Sequence, residues 1–350
     1  MSSKITSATE INLPPVIWGT SGLGNIYEVV PYERKLAIVK AYVQGCAGVP
    51  VFDSAGKYGA GLALKVLGQC LRDLNIKPEE VIISNKLAWY QTELTTPEPT
   101  FEKGVWKGIG HDAVQKISYQ GILECFEQGN ELLETYIPQM VSVHDPDEYL
   151  AAARDESDKE KRYQDILDAY RALIDLKKQG KVSSIGVGAK HWEVIQQIAA
   201  DVELDWVMIA NSLTLKSHPQ KLIEFIGELH QKNISVINSA VFNGGFLTGS
   251  NFYNYEEVDP NTAKGKELYN WRNAFFSLCK GFNIQPAEAC FNFGFNISGV
   301  NSIALSTSKP EKVKSNIEMA TKKIPVEFWN AMQDQGLLDK YSTSFIKQKS

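Results

Sequence analysis

Four side chains in this sequence have types and spacing that could do chemistry: Asp53, Tyr58, Lys86 and His144. Each lies at or just past the end of an apolar run. Val49-Pro50-Val51 leads into Phe52-Asp53-Ser54-Ala55-Gly56-Lys57-Tyr58-Gly59. Val81-Ile82-Ile83-Ser84-Asn85-Lys86 closes on the lysine, and Met140-Val141-Ser142-Val143-His144 closes on the histidine before Asp145-Pro146. Singly, each has an ordinary explanation: a lysine at a strand end is commonly a solvated charge, and a histidine before Asp-Pro is commonly a turn residue. Together they describe proton transfer. A tyrosine with a pKa near 10 is a poor base at neutral pH, and a nearby ammonium favours its ionised form. Asp53 beside Lys86 would keep the lysine charged and oriented, and His144 would orient a substrate oxygen or pass a proton. That is acid–base chemistry on an alcohol or a carbonyl, with no metal required.

Such a set works only if the chain aims all four groups at one place. Apolar runs alternate with segments of helical spacing throughout. Strands are expected at Val16-Ile17-Trp18, at the stretch ending in Asp53, and at residues 81–86, 140–146, 183–187, 206–210, 235–239 and 302–305. Helices are expected at 33–44, 61–74, 117–133, 164–178, 192–200, 219–231, 265–280 with 286–295, and 310–320, with Gly180 closing the fourth. Strands separated by helices of 10–15 residues mean parallel β/α units. Eight of them predict one closed (β/α)₈ TIM barrel, an α/β fold of about 250 residues plus insertions. The whole chain, 1–350, reads as a single domain. Its reactive end is the C-terminal one, where the four residues lie.

Residues 88–112, with Trp89, Tyr90, Trp106, His111 and two prolines, read as a long irregular insertion after strand three, of the length that loops reach when they serve function. The charge-rich residues 147–163 read as a solvated loop or helix. Gly19, Gly22 and Gly24 follow strand one without the G-x-G-x-x-G spacing of an open dinucleotide-binding sheet. The sequence also lacks G-x-x-x-x-G-K-[ST], H-E-x-x-H and G-x-S-x-G.

These residues resemble the aldo-keto reductase family over nearly the whole chain. The tetrad of Asp, Tyr, Lys and His is matched in order by Asp53, Tyr58, Lys86 and His144. Phe52-Asp53-Ser54-Ala55, Tyr58-Gly59 and Val66-Leu67-Gly68 are similar to the family's signature around its catalytic tyrosine. Leu23-Gly24-Asn25-Ile26-Tyr27, Val143-His144-Asp145-Pro146-Asp147 and Val241-Phe242-Asn243-Gly244-Gly245-Phe246-Leu247 look like the branch of L-fucose, D-threo-aldose and L-galactose 1-dehydrogenases. The resemblance implies an NAD- or NADP-dependent oxidoreductase that oxidises the anomeric C1 hydroxyl of an aldose to a lactone. Two alternatives share the same residues: an NADPH-dependent aldehyde or ketone reductase, and a non-catalytic nucleotide-binding regulatory barrel. By family position the cofactor would lie against Gly19, Thr20, Asn211, Ser239, Phe242, Asn243 and Gly244, with Lys312 and Asn316 near its adenosine. Ser308-x-x-Glu311, with Pro310 inside it, predicts a capping box at the last helix, and helix N-termini attract phosphate. Lys309 and Lys312 are the candidates for a 2′-phosphate. Trp18, Trp89 and His111, and with them Trp106, are candidates to wall the sugar. The chain departs from many relatives at Gly188-Ala189-Lys190-His191, at Met208 and at Asn238, where a Ser-Asn pair, a glutamine and a stacking aromatic are expected.

Bulk properties agree with a small-molecule enzyme. The net charge of −5 and the absence of a basic block argue against nucleic acid. No apolar run approaches the ~20 residues of a membrane span. Five widely spaced cysteines without C-x-x-C suit reduced thiols, and the first ten residues lack the apolar core of a secretory signal. A cytoplasmic protein is the expectation.

Overall fold

The structure, a computed structural model, describes residues 12–339; the N-terminal stretch read above for targeting lies outside them. Eight strands form the barrel: β1 Val16–Gly19, β2 Val51–Ala55, β3 Ile82–Leu87, β4 Met140–His144, β5 Ser184–Ala189, β6 Trp206–Ala210, β7 Ser235–Ser239 and β8 Val300–Leu305. All eight are parallel, and each neighbours the next in sequence until β8 closes onto β1. Strands buried on both faces read as continuous apolar runs, which is why they stood out in the sequence.

Period two decides which residues enter the barrel. Ile17, Val51, Met140, Trp206, Met208 and Ile237 form its closed floor. Gly186 makes room for the floor's largest side chain, because a Cβ there would enter the Trp206 ring. The alternate residues point out to the helices. Trp18 stacks on Tyr42 of helix Tyr32–Gly45 at 5.3 Å, and Phe52 packs edge-on against the same ring. The Tyr42 hydroxyl accepts from the Val51 N–H (3.2 Å) and donates to the Val16 carbonyl (2.8 Å), tying that helix to the β1–β2 edge.

Three local expectations are corrected. Residues 88–112 are not irregular throughout: Trp89–Glu93 and His111–Gln115 pair as an antiparallel ladder, so the insertion enters and leaves as a hairpin. Of the loop or helix expected at residues 147–163, most is helix, and what changes is where the next helix begins. A short helix, Pro146–Ala151, comes first, and the helix expected from 164 starts at Glu156, its N-cap Asp155 accepting from the Asp158 N–H. The capping box at Ser308 does not form. Helix Pro310–Glu318 has Lys309 at its N-cap without a side-chain bond, and it is the Thr307 hydroxyl that accepts from the Lys309 N–H (3.1 Å).

Candidate active site

The barrel's C-terminal mouth holds a cavity of about 440 Å³. Asp53, Lys86 and His144 reach it from the ends of β2, β3 and β4, and Tyr58 from the turn between β2 and helix Leu62–Asp73. The turn is pressed into place by two backbones without side chains. A Cβ on Gly24 would stand 2.8 Å from the Tyr58 carbonyl carbon, and Gly59, at φ +62°, faces Gly24 in return. The glycines after β1 thus serve close approach, and what they approach is the turn that carries Tyr58. Thr20 reinforces it from behind, donating from its hydroxyl to Ser54 Oγ (2.8 Å) and from its N–H to the Asp53 carbonyl (2.9 Å).

Asp53 and Lys86 form a buried ion pair, Nζ to Oδ2 at 2.5 Å, and Ser84 Oγ donates to the other carboxylate oxygen at 3.3 Å. The lysine ammonium lies 4.7 Å from the centroid of the Tyr58 ring. The His144 ring meets the same ring edge-on at 5.6 Å, and Trp106 covers it at 5.8 Å. Burial, followed by the Asp53 and Asp145 charges, pushes the Tyr58 phenol well above its ordinary value, against Lys57. The expectation that a neighbouring ammonium lowers this pKa is therefore corrected: burial and the two carboxylates prevail, and the resting tyrosine keeps its proton. Burial also drives His144 down to about 3, with Asp145 opposing and the nearby lysines adding to the drop. The imidazole is neutral at physiological pH, a hydrogen-bonding group rather than a cation.

The other expected residues divide. Gly19, Ser239, Phe242 and Gly244 line the cavity, as does Trp106. Thr20, Asn211, Asn243, Lys312 and Asn316 do not; Lys312 is exposed on its helix. Trp18 is no part of the substrate wall, because it follows the inward Ile17 by one residue and so points to the helix layer. Trp89 packs on Phe101 (5.5 Å) under the insertion, and His111 is exposed on the hairpin opposite Glu93. Asn238 also points outward, its amide donating to the Leu213 carbonyl (2.9 Å). At the other departures from the family pattern, Gly188, Ala189, Lys190 and Met208 do line the cavity.

Sequence reasoning missed Lys57, Glu102, Asp145, Lys190, Tyr27 and Tyr255, which form the rim. Lys57 is buried between Glu102 (2.8 Å), Asp145 (2.8 Å) and Glu148 (3.4 Å). Tyr27, Glu102, Asp145 and Tyr255 all take left-handed backbone conformations, φ +62°, +42°, +52° and +73°. Such strain in non-glycine residues gathers at functional sites. The available signal was Lys57 itself, a charge set inside the signature beside the tyrosine.

The profile of the Aldo/keto reductase family matches residues 15–335. The chain belongs to the aldo/keto reductase family. It is similar to pyridoxal 4-dehydrogenase of Microbacterium luteolum (25% identical, 91% of this chain and 93% of that protein covered). It is also similar to D-threo-aldose 1-dehydrogenase of a Pseudomonas species (23% identical, 95% and 97% covered). Among solved structures it shares its fold with a glycerol dehydrogenase from Gluconobacter oxydans, at TM-score 0.68 and 16% identity, over 98% of this chain and 97% of that one. Family membership makes this aldo/keto reductase an NAD(P)-dependent oxidoreductase acting on small molecules.

The cavity fits such a cofactor. Asn211, at φ +61° just beyond the lining residue Ala210, keeps a buried side-chain oxygen with no partner, an acceptor suited to a carboxamide N–H. Past β7, Asn243 (φ +47°), Gly244 (φ +69°) and Gly245 (φ +89°) are successive left-handed residues. The Asn243 and Gly245 N–H groups close turns onto the Ala240 and Phe242 carbonyls (3.0 Å each), and Gly244 and Gly245 line the cavity without side chains, which allows close backbone approach.

Proposed function

We propose that this enzyme oxidises the anomeric C1 hydroxyl of a neutral aldose to the lactone. The observation that carries the reading is Tyr58. Its ring is held by Lys86, His144 and Trp106 at the base of a cavity of small-ligand size. Once its own proton has left, the Tyr58 phenolate oxygen accepts the proton of the C1 hydroxyl, the phenolate being favoured by the Lys86 ammonium that Asp53 holds in place. Neutral His144 hydrogen-bonds the substrate oxygen and orients it. Trp106 offers an aromatic face to the sugar's C–H surface. Bound NAD or NADP supplies the hydride acceptor; Gly19, Asn211, Ser239, Phe242 and Gly244 are assigned to hold it, with Thr20 and Asn243 supporting their loops and Lys312 and Asn316 toward the adenosine. The likeness to a D-threo-aldose 1-dehydrogenase supports this substrate class.

One observation favours the reverse direction as a second reading. A phenol whose pKa is raised is a proton donor in the resting enzyme, which suits reduction of an aldehyde or ketone. The test is to mix the purified protein with NAD or NADP and L-fucose, L-galactose, D-arabinose and other aldoses, following reduced nicotinamide by absorbance. Growth of the signal with an aldose supports the dehydrogenase and names the cofactor. Silence with every aldose, with consumption of NADPH by aldehydes, moves the assignment to the reductase.

A further inference from the structure

Lys57 precedes the catalytic tyrosine, yet its side chain leaves the tetrad and serves three other segments. An ammonium has three N–H donors, and here they meet carboxylates from the insertion after β3 (Glu102), the end of β4 (Asp145) and the helix that follows (Glu148). Burial of the lysine, 3% exposed, is tolerable only because it is paired. Glu102 uses its other carboxylate oxygen to accept from Trp106 Nε1 at 2.7 Å. Trp106 in turn lies against the Tyr58 ring. A chain of contacts therefore leaves the catalytic turn at Lys57, passes through the insertion and returns to the residue next in sequence.

The rest of the insertion is anchored differently. Its backbone pairs with residues 25–27: the Tyr27 N–H donates to the Val105 carbonyl (2.8 Å) and the Lys107 N–H to the Asn25 carbonyl (3.0 Å). Those bonds fix the height of the segment over the cavity but do not themselves set the orientation of the Trp106 indole, which is buried against Ala60, Phe101 and Ala113. Among the described residues Glu102 makes the side-chain hydrogen bond that sets the indole's orientation within its packing against Tyr58, Ala60, Phe101 and Ala113, and Glu102 is held in a left-handed conformation while it does so.

We propose that Lys57 and Glu102 are the positioning residues of the substrate wall: the ion pair fixes Glu102, and Glu102 fixes the Trp106 indole against Tyr58. The inference rests on the aldose reading for its kinetic consequence, and on geometry alone for its structural one. A sugar would meet a wall already set in its bound orientation, which lowers the cost of ordering it on binding. Loss of the restraint should therefore weaken substrate binding and leave the chemical step alone.

The test compares wild type, Glu102→Ala, Trp106→Phe and the double variant. Amide hydrogen exchange over residues 100–108 should accelerate at least tenfold in Glu102→Ala while the barrel strands keep their protection. The aldose KM should rise about tenfold, with kcat within threefold and the cofactor Kd unchanged. In the Trp106→Phe background, which has no indole N–H to hold, Glu102→Ala should change KM less than twofold. Unchanged exchange over 100–108, or the same KM increase in both backgrounds, would overturn the proposal. Exchange needs no substrate, so a wild-type enzyme silent with every aldose would sink the sugar reading while the exchange result still decides this one.

Discussion

Replacing Tyr58 with phenylalanine separates catalysis from stability. The ring's neighbours contact its faces and edges: the Lys86 ammonium at 4.7 Å, His144 at 5.6 Å and Trp106 at 5.8 Å from the centroid. A phenylalanine ring keeps all three. The lost oxygen takes no hydrogen bond from any described residue and faces the cavity, so no buried partner is left unsatisfied, the usual source of large losses. The expected change in folding free energy is under about 0.5 kcal/mol. Unfolding entropy of about 2.1 cal/mol/K per residue amounts to roughly 0.7 kcal/mol per degree for this chain, so Tm should move by less than about 1 °C. Turnover should behave otherwise. A positioned acid or base contributes about 10²- to 10⁴-fold, or about 3–5 kcal/mol of barrier at about 1.4 kcal/mol per decade. The assay is kcat for Tyr58→Phe by nicotinamide absorbance, with Tm by differential scanning fluorimetry and cofactor Kd by fluorescence on the same preparation. Turnover within fivefold of wild type would refute the proton-transfer role. A loss of turnover accompanied by a Tm drop of several degrees would refute the claim that the hydroxyl serves chemistry alone.

Asp53→Asn should do both kinds of damage, because it strands the buried Lys86 ammonium; breaking a buried pair costs about 3–5 kcal/mol, a Tm drop of roughly 4–7 °C by the same conversion, checked by thermal melt. His144 makes folding sensitive to acid. Its folded pKa of about 3 lies below the ~6.5 of an unfolded histidine, so between those values only the unfolded state binds the proton and stability falls as pH falls; from pH 7 to pH 5 the His144 contribution is about 2 kcal/mol, and urea titrations at both pH values should show the wild type losing about 2 kcal/mol more than His144→Asn. The groups at and around the mouth sum to −1, four carboxylates (Asp53, Glu102, Asp145, Glu148) against three lysines (Lys57, Lys86, Lys190), with every lysine paired. Sugar phosphates and uronic acids should accordingly show kcat/KM at least tenfold below their neutral counterparts in the aldose assay.

What the sequence made legible follows from how β/α barrels bury their strands. A strand covered on both faces announces itself as an apolar run, so all eight were visible, and Asp53, Lys86 and His144 were visible as polar residues ending such runs. The same feature concealed direction. In a strand apolar on both sides, nothing in composition separates Ile17, which enters the barrel, from Trp18, which leaves it. The aromatic chosen for the wall from β1 was therefore one residue out of phase, and Asn238 on β7 faces outward for the same reason. Helix starts in charged sequence were also hidden, because the turn beginning at Glu156 is stabilised by the Asp155 cap rather than by an apolar face.

The rim was hidden for a different reason. Lys57 meets Glu102, Asp145 and Glu148 across 45, 88 and 91 positions of chain, from segments with no common periodicity. Strand ends can be read because the barrel repeats; loop contacts cannot, since each is particular to its own insertion. The two classes of residue also answer to different demands. On the proposed reading, proton transfer needs the same groups whatever the substrate, so it can reside at strand ends whose places the fold dictates. Discrimination among substrates needs shape and charge that the fold does not supply, so it falls to the loops. In this chain the two meet at adjacent residues: Tyr58 faces the barrel mouth among the strand-end groups, and Lys57 is where the insertion is fastened beside it. A change in the insertion that displaces Glu102 should therefore alter which substrate is accepted before it alters whether the chemistry occurs.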